Sequence, residues 1–294
     1  MHHSPATIEK RAQLATFIER VVRPIESIQG LIGIGSIASG RARPDSDIDL
    51  IAFLEPFDMY ALPAEAIWLA EDSSFHSIFS ESFDAMQVDI ARLDLAHWRD
   101  AGFAWPEGRK AELVHGWVAF DRAGKVAQLI AERTHYPDSL RMSRLDEAIT
   151  WLDQHLSEDG PAIRWQSLGP ALAHDRLNAA YGYLVQALFA LNRQWQPWRN
   201  RELDALLRLP WLPQHLDERI LMALTAAGHD RQAYDARVTA LISLMSDVLA
   251  RAQEEGIYSA DPIGEAFIRS HEEPGRAWNM AAWKREHGRR YANG

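Results

Sequence analysis

Leu31-Ile32-Gly33-Ile34-Gly35-Ser36 and, after ten further residues, Asp47-Ile48-Asp49-Leu50 are the stretch on which the reading of this chain turns. The first part is short, apolar and bounded by glycine, as a buried strand is, and it ends in small residues where the chain turns towards a helix. Small residues there leave backbone amides and the positive end of the helix dipole open to a triphosphate. The Ser36 hydroxyl adds a donor. In the second part the strand period of two places Asp47 and Asp49 on one face, about 7 Å apart, with Ile48 and Leu50 on the other. Carboxylates this close repel, and the pair is best relieved by a divalent cation or by a raised pKa. Magnesium (Mg2+) suits the site, because it takes hard oxygen ligands and is commonly shared between a few carboxylates and substrate phosphates.

A third acid stands in Gln87-Val88-Asp89-Ile90, within an alternating stretch from Asp84 to Leu93 that reads as another strand. If that strand lies beside the one running from Ile48 to Leu54, the three aspartates converge.

Outward from this centre, Ile8, Leu14, Ile18, Val21 and Val22 form an apolar helical stripe that Pro24 limits. Val114 to Phe120 reads as a fourth strand, followed by a turn and a helix from Lys125 to about Arg133. Beyond Pro137 the periodicity is helical only. Ser143 is placed to cap a helix carrying Leu145, Ile149, Leu152 and Leu156, with Gly160 as its stop. Pro170 to Arg193 reads as a long central helix, apolar nearly all round from Leu177 to Leu191. Segments near 200–209, 217–227 and 230–253 supply further helices. The fold class expected is α+β: an N-terminal domain over 1-137 with a small mixed sheet and flanking helices, then a C-terminal helical bundle over 138-294.

Composition narrows the function. The chain has 294 residues and no cysteine, which removes thiolate metal sites and a cysteine nucleophile. The net charge of -10, with 31 scattered basic residues, argues against nucleic acid as a partner. No stretch is apolar enough for a membrane span and the first residues lack the form of a signal peptide, so a cytoplasmic protein with no membrane partner is expected. The 12 histidines show no pair at metal-binding helical spacing, and no Gly-x-Ser-x-Gly elbow occurs.

Ile34-Gly35-Ser36, the ten-residue gap, Asp47-Ile48-Asp49-Leu50 and Val88-Asp89-Ile90 together resemble the signature of the polymerase-beta-type nucleotidyltransferase superfamily. The stretch from Gly35 to Leu50 is especially similar to aminoglycoside adenylyltransferases and minimal nucleotidyltransferases. The resemblance implies an N-terminal nucleotidyltransferase domain in which Gly35 and Ser36 serve the triphosphate and Asp47 and Asp49 hold magnesium. Asp89 would be a further metal ligand or a general base, although the family often has Glu there. Arg43 and Ser46, in the loop between the two halves, join the nucleotide-binding candidates. So does Arg199, because in similar enzymes a basic residue after the central helix reaches the triphosphate. Trp195 and Trp198 are candidates for stacking on a base or sugar.

The activity so implied is transfer of a nucleoside monophosphate, AMP from ATP, to a small-molecule hydroxyl acceptor such as an aminoglycoside-like antibiotic, with pyrophosphate released. Antibiotic resistance would be the corresponding role. Two rivals stand beside it: nucleotidylation of a partner protein, as in antitoxin-type nucleotidyltransferases, and a nucleotide-binding regulator without turnover.

Overall fold

The structure, a computed structural model, describes residues 3–62, 67–69, 74–76, 81–83, 86–225 and 228–271. The fold is α+β, with the strands in the first half of the chain and a helical second half. It divides into two compact units, one formed by Met1–His135 with Trp195–Glu202, the other by Tyr136–Gln194 with Leu203 onward. The segment Trp195–Glu202 thus belongs to the sheet-containing unit, whereas the sequence reading put all of 138-294 in the helical one. Its reason is packing: Trp195 is buried and donates its indole N–H to the Thr134 carbonyl at 2.7 Å, and Gln196 N–H donates to Glu107 at 3.2 Å.

In the first unit, helix α1 (Pro5–Phe17) is capped by Ser4, starts on Pro5, and runs into a π-helical turn (Ile18–Val22) that ends before Pro24. Strand β1 (Ile28–Gly33) leads into the short helix α2 (Gly35–Ser39), and β2 (Ile48–Leu54) follows. Short strands β3 (Ile67–Leu69), β4 (Ser74–His76) and β5 (Glu81–Phe83) precede the long β6 (Met86–Asp94). Residues 84–85, where the third strand was expected to begin, lie outside those described. Helices α3 (Leu95–Arg99) and α4 (Glu107–Val114), strand β7 (Trp117–Asp121) and helix α5 (Lys125–Arg133) complete the unit.

The strand expected from Val114 to Phe120 is therefore displaced, since the chain to Val114 is helical and the strand begins at Trp117. Gly116 makes the turn possible, because a Cβ there would stand 2.6 Å from Ile32 Cγ2.

Among the described residues the sheet has seven strands in the order β3-β4-β6-β2-β1-β7, with β5 also paired to β6. It is mixed: β2 runs parallel to β6, and the remaining pairs are antiparallel. Each face carries its own core. Ile28, Leu31, Ile48, Leu50, Val88 and Ile90 pack with Leu14 and Phe17 of α1. Ile32, Ile51, Phe53, Ala91 and Leu93 pack with Trp98, Leu113, Val126 and Leu129 of α3 to α5.

The second unit holds helices α6 (Asp138–Leu156) and α7 (Gly160–Leu191), the later part of α8 (Arg199–Leu206), then α9 (Leu216–Leu224), α10 (Arg231–Glu254) and α11 (Pro262–Ser270). Leu145, Ile149, Leu152 and Leu156 are buried at the helical spacing read from the sequence. The start of α6 differs. Pro137, extended at φ -77 and ψ 147, launches the helix at Asp138 and leaves Ser143 inside it. The central helix also begins earlier than Pro170: α7 starts at Gly160 and breaks at Gly169, whose φ of 79 and ψ of 169 precede Pro170, a residue that cannot donate the next helical bond. No helix among the described residues is long and apolar enough to cross a membrane.

Candidate functional site

Strand β2 is held from both faces. Ile48, Leu50, Ala52 and Leu54 bury on the α1 side, Ile51 and Phe53 on the other. Asp49 shares the parity of Ile51 and Phe53, so it projects on the face covered by α4 and α5. Asp47 lies just before the strand and is exposed, while Asp49 is half-buried.

The parallel register pairs Asp49 directly with Asp89, and Ile48 with Val88. In-register neighbours of a parallel pair point to the same face, so the condition set by the sequence for convergence is met: β6 lies beside β2. The structure brings Asp47, Asp49 and Asp89 together at one end of the two central strands. Their mutual repulsion is visible in Asp49, whose pKa is pushed up to about 6 by burial first and then by the charges of Asp47 and Asp89. Keeping Asp49 ionised at neutral pH costs roughly 2 to 3 kcal/mol. Burying Ile48, Leu50, Ile51, Phe53 and Leu54 contributes about 1.5–3 kcal/mol each, enough to hold the carboxylate in this position.

Gly35 closes the other side. It is the first residue of α2, at φ +60, and a Cβ built on it would stand 2.7 Å from Asp49 Oδ2. Any side chain there would collide with the carboxylate and strain the backbone. The Ile34 N–H donates to the Asp49 carbonyl at 2.9 Å, which ties the turn to β2, and Gly40 ends α2 in the left-handed conformation. The first amides of α2, around Gly35 and Ser36, have no partner within the helix.

Two further groups reach Asp49, and sequence reading found neither. Glu112, on α4, raises its pKa, and Arg201, an exposed residue of the Trp195–Glu202 segment, lowers it. Arg201 is thus a cation set against Asp49, as Arg92 is against Asp89. Arg199 points its guanidinium into an ion pair with Glu202, which also accepts from Gln196 at 2.6 Å. The docking of this segment explains the difference: Trp198 lies over Gly108, where a Cβ would meet the indole at 2.4 Å, and Lys110 stacks 4.2 Å from the Trp195 ring centroid. Trp195 is consequently a core residue. A helical reading places Arg199 and Arg201 on different sides, so choosing between them needed the direction in which α8 docks.

Arg43 and Ser46 lie in an exposed loop. The Arg43 side chain meets Asp45 at 3.3 Å, and Ser46 closes the loop by accepting from Arg43 N–H at 3.0 Å. His97 packs against the Phe103 ring, and His174 is bonded to Arg237 at 3.0 Å, both as packing residues.

Among the described residues no three His, Asp or Glu side chains form a complete metal-binding group. The donor set nonetheless fits magnesium, which usually takes one or two carboxylates and completes its shell with water and phosphate oxygens. The raised pKa of Asp49 comes first from burial and then from Asp47, Asp89 and Glu112, with Arg201 opposing, while Asp89 also feels the charge of Arg92.

No protein-family model matches the chain, and no curated protein matches it. Among solved structures it is similar to a nucleotidyltransferase-like protein from Exiguobacterium sibiricum 255-15, with 12% identity, a TM-score of 0.43, and coverage of 97% of this chain and 89% of that one. At that score the likeness is too slight to fix fold or function by itself.

Proposed function

We propose that the protein is a magnesium-dependent nucleotidyltransferase that moves AMP from ATP to a hydroxyl of a small-molecule acceptor and releases pyrophosphate. The observation that carries this reading is the in-register pair Asp49 and Asp89, with Asp47 beside it and Gly35 against it. Magnesium bound there would neutralise charge on the phosphates and on the leaving pyrophosphate. Asp47 and Asp49 are the residues that would hold it. The α2 amides near Gly35 and Ser36 bind phosphate oxygens, and Arg201 adds a positive charge that acts on Asp49.

Asp89 faces the incoming hydroxyl and takes its proton as the acceptor oxygen bonds to the α-phosphorus and the bond to pyrophosphate breaks. Positioning and electrostatics do most of the work. An amino-sugar acceptor, of the kind expected for antibiotic modification, suits a cluster this rich in carboxylates.

The test is pyrophosphate release from ATP, GTP, CTP and UTP against amino sugars, lincosamides and candidate proteins, with Asp47→Asn as control. Release with one acceptor that requires magnesium and disappears in the variant supports the reading. Magnesium-dependent ATP binding without release for any acceptor points to a regulator, and ATP affinity unchanged in Asp47→Asn would overturn the site.

A further inference from the structure

We propose that Arg11 is a positioning residue for the nucleotide site, holding the Gly35–Gly40 turn in the placement that sets Gly35 against Asp49. The inference rests on the function proposed above and concerns how α1, which contributes nothing to the acidic cluster, governs its geometry.

Helix α2 spans only Gly35–Ser39, far too short to be stable by itself. Its last carbonyls lack helical partners, because the chain turns at Gly40 and the N–H groups of Gly40 and Arg41 both return to the Ser36 carbonyl. Arg11 fills that gap. Its Nη2 donates to the Ile37 carbonyl at 2.7 Å and to the Ala38 carbonyl at 3.3 Å, and its Nε donates to Ile37 at 3.3 Å. The guanidinium lies 4.2 Å from the centroid of the Trp117 ring, which fixes its plane. A cation at the C-terminal end of a helix also reinforces the dipole whose positive end lies at Gly35.

Two other residues of the same region hold the turn just beyond. Ser4 N–H donates to the Gly40 carbonyl at 2.9 Å and Ser4 Oγ to the Ala42 carbonyl at 2.7 Å, while the buried Thr7 hydroxyl accepts from Ala42 N–H at 2.9 Å. Together they pin the end of the turn, and Arg11 takes the Ile37 and Ala38 carbonyls of α2 itself. Without it the carbonyl end of α2 is held by its packing through the buried Ile37 side chain, and any shift of that end is passed along five residues to Gly35, which has no clearance from Asp49 Oδ2. A lysine keeps the charge over Trp117 but reaches one carbonyl at a time.

The experiment uses the full chain as wild type, Arg11→Met, Arg11→Lys and Phe17→Leu, titrated by calorimetry with magnesium ATP and with magnesium tripolyphosphate. Melting is followed by circular dichroism. Arg11→Met is expected to lose roughly tenfold or more in affinity for both probes, the scale at which small misplacements act. Arg11→Lys should recover part of that loss. Phe17→Leu, which loosens α1 at its other end, should melt earlier with both affinities unchanged, as a purely structural role of α1 would not allow. Wild-type affinity in Arg11→Met overturns the positioning role alone, and so does wild-type affinity in Arg11→Lys should the methionine variant not fold. A wild-type protein that binds neither probe overturns the nucleotide reading, and the role of Arg11 with it.

Discussion

Asp49 in the first unit and Asp146 in the second are the same side chain withdrawn from water in two different ways. Asp146 is buried on α6, accepts from the Tyr258 hydroxyl at 2.7 Å and takes a paired set of bonds from Arg269 at 2.9 to 3.2 Å. Arg269 is raised in pKa by that carboxylate, and Tyr258 is raised by burial and by the same neighbour. Every partner of Asp146 compensates its charge. Among the described residues, Asp49 feels the like charges of Asp47, Asp89 and Glu112 and the opposing charge of Arg201. The helical unit compensates this buried carboxylate with direct bonds, whereas around Asp49 the like charges outnumber the cation that acts on it. Such an imbalance marks a functional site more often than a structural one.

The sharpest way to break this contrast is at Asp89. Asp89→Asn should lower turnover about 10²- to 10⁴-fold, the usual cost of losing a general base, while magnesium ATP affinity stays within a few-fold. Pyrophosphate release and calorimetry on one preparation decide it. Affinity and rate falling together would make Asp89 a ligand of the nucleotide-bound metal instead.

Asp146→Ala tests the other side. Removing the acceptor strands Arg269 and the Tyr258 hydroxyl, and the unfolding free energy should fall by about 4 kcal/mol. Nucleotide affinity of the folded variant should not change. Urea denaturation measures the first and calorimetry the second.

Asp49→Asn then separates the two acids by pH. Because the Asp49 pKa is raised from 3.8 to about 6, the native state holds its proton more tightly, so wild-type stability is fully present below pH 3.8 and lost as pH rises through about 6. Without magnesium, the asparagine variant should therefore be more stable than wild type by about 2 kcal/mol at pH 7.5, and the gain should vanish near pH 4. An equal gain at both pH values would show that Asp49 is not charged at a cost. The smallest effect concerns the cations: Arg201→Gln should weaken magnesium ATP binding about fivefold, or about 1 kcal/mol, and Arg199→Gln by less than about twofold. The reverse order would restore Arg199 as the triphosphate residue.

The parts of this molecule legible from sequence are those with short-range causes. The spacing of Gly35, Ser36, Asp47 and Asp49 needs only a strand, a turn and another strand, and the alternation around Asp89 marks its face without reference to neighbours. The buried stripe of α6 is equally local. What escaped has long-range causes. Glu112 and Arg201 come to Asp49 because α4 and the Trp195–Glu202 segment dock on each other through Trp198 and Gly108, and no periodicity encodes that contact. The strand misplaced over Val114 to Phe120 has the same origin, since the close approach of Gly116 to Ile32 decides where α4 gives way to β7. Arg11 carries no motif or spacing that marks it in the sequence. Its partners, Ile37 and Ala38, are backbone carbonyls and leave no mark in the side-chain sequence.

The excursion of Trp195–Glu202 into the first unit has a consequence for how the protein is born. On the ribosome, residues up to His135 emerge before Trp195 has been made to cover Lys110 or to donate to the Thr134 carbonyl. Residues 136–194 must be synthesised first, a delay of several seconds at about 5–20 residues per second. During that interval Asp47, Asp49 and Asp89 have been made and Arg201 has not. The three aspartates are therefore translated well before Arg201, whose charge can act on Asp49 only after much of the helical sequence has been made.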